Sequence, residues 1–389
     1  MMDARNHNLQ RLTALEAAAM SEPMNQAAAT ALAQVRWLLG HTAWFAEAWL
    51  GRNTQRMMGA QCPPQPVRTA SVAPWSDMIW GGEFTEGPAT GVAADADTDD
   101  LRAYLLETLE ITLELLQKVP ESDDALYFFR LALMHEDMTG ERLLVLAQTH
   151  GVRLSVELPP TAAPRAPIGL PTTRWELGSV PGGFVFDNEK WAHEVRVPEF
   201  EIDAQTVSWA QFVEFVDDGG YDNADCWHPQ GWAWLQAQDG RCGPRHVEHI
   251  GVARAGAGGA VMQLRFGQPV RMAGHHPVTH ASWWEADAWC RWAGRRLPDE
   301  VEWEMAAQSA GRRGFAWGEV HEWTASRFQP YPGFRADPWA AYSAPHFGQC
   351  RVMRGGSWAT SQRLKHPKYR GFGLPELDEP FVGFRSCAI

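Results

Sequence analysis

Apolar residues recur at helical spacing through roughly the first 155 positions of the chain. In the second of the predicted helices, Trp37, His41 and Phe45 follow one another at intervals of four and therefore share one face. Acidic residues lead the third helix and Lys118 closes it, which suits the helix dipole. The pattern predicts a helix before residue 20 and helices over residues 28–50, 99–118 and 123–149, the number in a four-helix bundle.

The pattern changes beyond residue 155. Five prolines in residues 156–172 predict an extended linker between domains. Residues 173–389 are rich in Gly, Trp and Pro with short apolar runs, which is typical of an α+β domain with long irregular loops. Here the pattern predicts helices over 207–220 and 282–294 and strands within 193–207 and 350–358. We therefore expect a helical domain over residues 1–155, the linker, and an α+β domain over residues 173–389.

The composition narrows the classes of function. The formal net charge is −13 and no long run of Lys or Arg occurs, which argues against nucleic acid or an anionic membrane as the main partner. The N-terminal segment lacks the apolar core of a signal peptide, and no stretch approaches ~20 consecutive apolar residues. We therefore expect a cytoplasmic protein that does not span a membrane. The six cysteines lack CxxC spacing, which favours reduced thiols over a disulfide framework.

The helix over residues 123–149 carries a histidine in a pattern typical of a metal site. Residues 134–141 read MHEDMTGE, and Thr139 holds the position four after His135, where a second histidine would share the same face and the same ion. Glu141 lies six positions on, about 240° round the helix, so it would at best support a ligand. On its own, His135 favours a buried structural histidine. A second mid-helix histidine, His41, lies among aromatic residues and gives it a candidate partner.

Several motifs together resemble one enzyme family. In this order, SWWEADAWCRWAGRRLPDEVEWEMAA (282–307), GEVHEWTAS (318–326), RVMRGGSWAT (351–360) and FVGFRSC (381–387) resemble a formylglycine-generating-enzyme-like domain, a C-type-lectin-related fold. GHTAWFAEAWLGRN (40–53) and HEDMTGE (135–141) resemble the iron-ligand helices of a DinB-like bundle. This combination is similar to that of the iron-dependent sulfoxide synthases of ergothioneine and ovothiol biosynthesis and the related selenoneine synthases. The resemblance spans nearly the whole chain and implies a non-haem Fe(II) enzyme.

The resemblance also implies roles for individual residues. His41 and His135 match iron ligands, and Thr139 occupies the third ligand position, where a neutral hydroxyl is a weak ligand. Three explanations stay open: an engineered loss of the ligand, a natural two-histidine site completed by water or another side chain, or a protein that has lost activity. The implied acceptor is hercynine, whose trimethylammonium group needs aromatic faces and carboxylates. The candidate substrate-binding residues are Trp358, Tyr369, Arg370, Phe372, Glu376 and Asp378.

The second substrate distinguishes members of this family. Residues 69–101 correspond to the connection that supplies carboxylate-binding arginines in ergothioneine-type members, yet they contain no Lys or Arg. The resemblance implies a pair of tyrosines, the first of which assists catalysis. At that spacing this chain has Trp339, which has no acidic hydroxyl, and Tyr342, and these two are the candidate catalytic residues. Both departures favour a neutral selenosugar, and hence C–Se bond formation with hercynine and O₂.

Two alternatives remain beside this interpretation. The first is an ergothioneine-type sulfoxide synthase, which forms a C–S bond with the thiol of gamma-glutamylcysteine or cysteine. The second is a non-catalytic binding protein with a degraded iron site, since lectin-like domains often only bind and Thr139 removes a ligand.

Overall fold

The computed structural model describes residues 1–21, 26–81, 98–157, 163–251 and 261–389. The chain divides into two compact units. Unit 1 comprises residues 1–155, 181–187 and 335–345, and unit 2 comprises residues 156–180, 188–334 and 346–389. Within the described ranges, no helix combines the length and the apolar character needed to cross a membrane.

Four long helices and one short helix form the main part of unit 1. They are α1 (Met2–Ser21), α2 (Gln26–Ala46), α3 (Ser76–Ile79), α4 (Thr98–Leu116) and α5 (Asp123–Thr149). The α2 helix continues into a π-helical turn, Glu47–Gly51, and packs against α1, α4 and α5. The four long helices predicted from the apolar pattern are thus confirmed.

The boundaries of α5 follow from its sequence. The side chain of Ser122 caps the helix by accepting a hydrogen bond from the backbone N–H of Ala125. Asp123 and Asp124 lie in the first turn, where their charge favours the positive end of the helix dipole. The helix spans the predicted residues 123–149, and its buried face carries His135 into the core of unit 1.

Two segments that the sequence pattern placed in the α+β domain belong to unit 1. The Tyr127 hydroxyl on α5 donates a hydrogen bond to Asp337 (2.8 Å), and Asp123 accepts one from the backbone N–H of Gly183 (3.0 Å). Ser343 donates to Asp187, which ties the two segments to each other. These distant pairings explain why composition along the chain did not reveal the division.

Unit 2 combines short helices with several small sheets. Its helices are α6 (Trp209–Asp217), α7 (Pro229–Gln236), α8 (Trp283–Trp292) and α9 (Glu300–Ser309). Its strands are β1 (Ile168–Leu170), β2 (Thr173–Leu177), β3 (His193–Val197), β4 (Phe200–Ile202), β5 (Val247–Ile250), β6 (Val261–Arg265), β7 (Gln268–Met272), β8 (His321–Arg327), β9 (Arg351–Gly355), β10 (Arg370–Gly373) and β11 (Val382–Phe384). The largest sheet has the order β10-β9-β8-β11, and β11 runs parallel to β8.

The mixed helix-and-sheet character expected for this half of the chain is confirmed. Both predicted helices exist as α6 and α8, and each begins at a capping box, at Ser208 and Ser282. The end of the predicted linker differs from expectation, because Ile168–Leu170 pairs with β4 as an antiparallel strand. Residues 158–162 of that linker lie outside the described residues.

Candidate active site

Two buried histidines face each other in unit 1. His41 lies on α2 and His135 on α5, and both side chains are almost wholly inaccessible to solvent. Their ring centroids are 5.3 Å apart, with an angle of 50° between the ring planes. Two imidazoles bound to one ion through metal–nitrogen bonds of about 2.1 Å have ring centres roughly 5 Å apart. The spacing therefore suits a shared metal ion.

The His41 ring is held on several sides. Its Nδ1 atom lies 2.9 Å from the carbonyl oxygen of Trp80. The ring also stacks on Trp37, with centroids 5.0 Å apart, and on Trp44, with centroids 5.4 Å apart. Burial lowers the pKa of His41 to about 4, and the hydrogen bond to Trp80 opposes this shift only in part. The imidazole is therefore neutral near pH 7, which is the form that binds metals.

His135 lies in an aromatic pocket. Its ring stacks face to face on Phe45, with centroids 4.0 Å apart and planes 4° apart, and meets Trp339 edge-on at 5.4 Å. Burial, and to a smaller extent the charge of His41, lowers the pKa of His135 well below its ordinary value. Both imidazoles are thus neutral and enclosed by apolar rings, an environment that keeps bulk water away from a bound ion.

Thr139, the third predicted position, takes part in a contact between the helices. Its hydroxyl lies 2.7 Å from the hydroxyl of Thr42 on α2 and 3.1 Å from the carbonyl oxygen of His135. Across the described ranges, no group of three or more His, Cys, Asp or Glu side chains is arranged to hold a metal ion. His41 and His135 therefore fit two places of an iron ligand set, and in the part of the chain that the structure describes no third residue of these types joins them.

The two predicted catalytic residues lie in the same unit as the histidines. Trp339 contacts Phe45, with ring centroids 5.0 Å apart, and packs against Tyr342 at 4.9 Å. The Tyr342 ring also stacks on Phe186 at 4.7 Å. Trp339 is thus in ring contact with His135 itself, and Tyr342 lies one aromatic residue further away.

Glu141 was predicted to support a metal ligand. It is half-buried on α5, and its negative charge acts on Arg11 of α1, where it opposes the lowering of the Arg11 pKa by burial.

The six candidate substrate-binding residues all lie in unit 2. Arg370 is buried and donates two hydrogen bonds of 2.8 Å to Glu300. Asp378 accepts from Arg241 at 2.8 Å and from Arg245 at 3.1 Å. The charges of both predicted residues are therefore already matched by side chains of the same unit.

The remaining four candidates have aromatic or electrostatic neighbours. Phe372 stacks on Phe328 with centroids 4.3 Å apart, and Trp358 packs against Phe381 at 4.8 Å. The Tyr369 ring lies 6.1 Å from that of His366, and the charge of Glu376 adds to burial in raising the pKa of Cys350 to about 11.

Sequence reasoning missed two groups that shape the site. One is the carbonyl oxygen of Trp80, and the other is the Thr42 hydroxyl that meets Thr139. A backbone carbonyl leaves no trace in a pattern of side chains. Thr42 did follow directly after a candidate ligand, but its partner lies 97 residues away.

Comparisons with known proteins define the class of the chain. The family model of the sulfatase-modifying factor enzyme 1-like domain matches residues 168–320 and 315–388. The formylglycine-generating enzyme of Streptomyces coelicolor is 35% identical over 310 residues, which cover 59% of this chain and 91% of that protein. The C-terminal half is therefore a sulfatase-modifying factor enzyme 1-like domain.

Longer matches include the helical half. The hercynine oxygenase of Mycolicibacterium smegmatis is 31% identical over 409 residues, which cover 90% of this chain and 89% of that protein. The hercynine oxygenase of Mycobacterium tuberculosis is 31% identical over 338 residues, covering 73% of this chain and 76% of the relative. The chain belongs to the hercynine oxygenase family.

Proposed function

We propose that this protein is a non-haem iron oxygenase that acts on hercynine and joins its imidazole ring to a sulfur or selenium atom of a second substrate. The observation that carries the proposal is the pair of buried neutral imidazoles, His41 and His135, at a spacing suited to one ion. It occurs in a chain similar to named hercynine oxygenases over nine-tenths of its length.

His41 and His135 would hold Fe(II), which supplies the activation of O₂. The residues of the chain would orient the two histidine ligands and surround them with apolar side chains. Phe45 and Trp339 cover the His135 ring and exclude water from its neighbourhood. The half-buried Trp339 would also offer an aromatic face to a trimethylammonium group, because a quaternary cation has no hydrogen to donate and is attracted to aromatic faces.

We assign proton transfer to Tyr342. A phenol can donate and accept a proton, whereas the indole of the neighbouring Trp339 cannot act as an acid. The Tyr342 segment is fixed to α5 through Tyr127 and Asp337, so the phenol is carried by a braced part of unit 1. Burial, with the nearby Asp337 charge, raises the pKa of Tyr127 far above its ordinary value, so that hydroxyl remains a donor.

In unit 2 we retain Trp358, Tyr369, Phe372 and Glu376 as candidate substrate contacts. Arg370 and Asp378 receive a different role, because each is already committed to a buried ion pair. Their function in the proposal is to hold the loop that carries Tyr369 and Glu376.

For the second substrate we put forward a selenosugar. The stretch without Lys or Arg, residues 69–101, leaves a carboxylate-bearing thiol without arginines there. Arg52, which precedes it, is bound to Asp77 through contacts of 2.6 and 3.0 Å. A sugar needs only neutral hydrogen bonds and an aromatic platform. Residues 82–97 of this stretch lie outside the described residues.

We expect 1-seleno-glucose to outcompete gamma-glutamylcysteine and cysteine in product formation with hercynine. An arginine–carboxylate contact contributes about 1.5–3 kcal/mol, so its absence weakens thiol binding roughly 10- to 100-fold. Mass spectrometry of products at equal donor concentrations measures the preference. Faster formation of hercynyl-cysteine sulfoxide would move the assignment to ergothioneine-type chemistry.

The variant Arg68→Met sharpens that comparison. The Arg68 guanidinium lies over Trp49 at 5.1 Å and donates to the Ala48 carbonyl, next to the basic-residue gap. If a thiol is the true donor and Arg68 binds its carboxylate, this variant raises the KM for gamma-glutamylcysteine by about tenfold. If the true donor is a selenosugar, we expect Arg68→Met and the wild type to have the same KM for that selenosugar.

We further expect Thr139→His to bind Fe(II) about tenfold or more tightly, because it places a second imidazole one turn after His135. Since Thr42 lies only 2.7 Å from the Thr139 hydroxyl, the change should be made with and without Thr42→Ala. Anaerobic equilibrium titration with Fe(II) measures the affinity.

Thr139→Val is the matched control for this change. It keeps the branched shape and removes only the hydroxyl, so the Fe(II) affinity should stay within about twofold if that hydroxyl is not a ligand. A large loss of affinity in Thr139→Val would instead identify Thr139 as the third ligand.

A further inference from the structure

One face of α2 is docked onto the segment 76–80 through three side chains. The Trp37 indole N–H donates to the carbonyl oxygen of Ile79 (3.1 Å), and the Trp44 indole N–H donates to the Asp77 carboxylate (2.7 Å). Between them, the Nδ1 atom of His41 lies 2.9 Å from the carbonyl oxygen of Trp80. These positions are four and three residues apart, so they share one stripe of the helix. The candidate ligand His41 is therefore the central member of a three-point attachment.

A glycine makes room for this attachment. A Cβ atom added at Gly40 would lie 2.0 Å from Cε2 and 2.1 Å from Nε1 of Trp80, far below any real contact distance. The Trp80 indole also stacks on Tyr104, with ring centroids 4.9 Å apart and planes 18° apart. Trp75 packs against the same indole with centroids 4.9 Å apart, and Trp80 is almost fully buried, so it has no open side into which it could move.

The contact determines which nitrogen of His41 carries the proton. A carbonyl oxygen only accepts hydrogen bonds, so the Nδ1 atom facing the Trp80 carbonyl must be the N–H donor. In the neutral ring the lone pair then belongs to Nε2. A metal-binding histidine commonly has its other nitrogen fixed by such a partner, and loss of that partner weakens metal binding about 10- to 100-fold.

We propose that Gly40 and Trp80 are positioning residues for His41: the space at Gly40 lets the Trp80 carbonyl reach Nδ1, which fixes the ring and makes Nε2 the metal-binding nitrogen. The proposal rests on the proposed function, because it concerns His41 as a ligand. It adds a prediction about the protein without metal, in which His41 already exists as the Nδ1–H tautomer.

The test compares Gly40→Ala with Gly51→Ala. A Cβ at Gly51 would meet only side-chain carbons at 3.6 and 3.7 Å, which is ordinary packing, so this variant is the matched control. Long-range ¹H–¹⁵N NMR on the metal-free protein identifies the tautomer of His41, and anaerobic titration with Fe(II) alone measures affinity. We expect Gly40→Ala to lose the Nδ1–H signature and to bind Fe(II) about 10- to 100-fold more weakly. Gly51→Ala should match the wild type in both measurements.

A rescue separates positioning from general damage. Trp80→Leu removes the indole but keeps the backbone carbonyl. The double variant Gly40→Ala/Trp80→Leu should therefore be less stable to heat than the wild type and yet regain the Nδ1–H tautomer and most of the Fe(II) affinity.

If Gly40→Ala keeps both the tautomer and the affinity, the positioning role is overturned. If the double variant fails to regain them while folded, that role is overturned as well. Absence of Fe(II) binding by the wild type, with the Nδ1–H tautomer present, would contradict the proposed function and leave the assignment of the tautomer standing.

Discussion

Replacement of His135 by leucine is expected to abolish stoichiometric iron binding and to lower hercynine turnover by at least about 100-fold. Loss of a residue that merely supports a ligand already costs about 10- to 100-fold, and His135 supplies one of the two imidazoles that the described residues bring together here. Leucine has nearly the volume of histidine and no nitrogen, so the packing against Phe45 is largely retained. Iron per chain after anaerobic loading and the initial rate with O₂ are the measurements.

His7→Ala is the control for this experiment. His7 is an exposed histidine on α1 that lies 3.8 Å from the equally exposed Asp3, so its loss should change neither iron content nor rate. Full iron loading in folded His135→Leu protein would show that His135 is a structural histidine and that the iron binds elsewhere.

Arg370→Met is expected to destabilise the fold by about 3–5 kcal/mol, the usual cost of breaking a buried ion pair from one side. Arg370 is buried and donates to Glu300 and to the backbone carbonyls of Asn188 and Gln329. The substitution leaves the buried Glu300 carboxylate with Arg354 and the Tyr331 hydroxyl but without its two hydrogen bonds from Arg370. Urea unfolding followed by tryptophan fluorescence measures the free energy of unfolding.

Arg174→Met provides the comparison. Arg174 pairs with Glu194 on the surface of β2 and β3, with both side chains more than half exposed, so its loss should cost no more than about 1 kcal/mol. If Arg370→Met unfolds like the wild type but raises the KM for hercynine, Arg370 is a substrate ligand and the role given to it here is wrong.

The helices were predictable where the signal is local. For α5, a capping serine, two acids in the first turn and a long apolar stripe all lie within the helix or directly before it. For α9, three glutamates at alternate positions, Glu300, Glu302 and Glu304, are all buried. Glu302 pairs with the nearby Arg296, but the arginine partners of Glu300 and Glu304 are the distant Arg354 and Arg370. No local pattern could reveal that such a polar segment is a core helix.

The candidate site likewise contains features that could be predicted from sequence and features that could not. His41 and His135 could be selected from sequence because each lies mid-helix within a motif, and the structure brings their rings together. The sequence could not distinguish an arginine that binds substrate from one that holds a buried glutamate, which is why Arg370 was selected as a substrate contact. The attachment of Trp80 to His41 depends on a missing side chain and a backbone carbonyl, so it became visible only in three dimensions.

The most direct test of the account is the dependence of hercynine conversion on iron and O₂. The wild-type protein is titrated anaerobically with Fe(II), freed of excess metal, mixed with hercynine and both donor types, and then exposed to O₂, with iron per chain and products measured. The account predicts close to one iron per chain and a hercynine product bonded to selenium or sulfur that forms only when both iron and O₂ are supplied. A folded protein that binds no iron and leaves hercynine unchanged with every donor would contradict it and favour the non-catalytic binding protein.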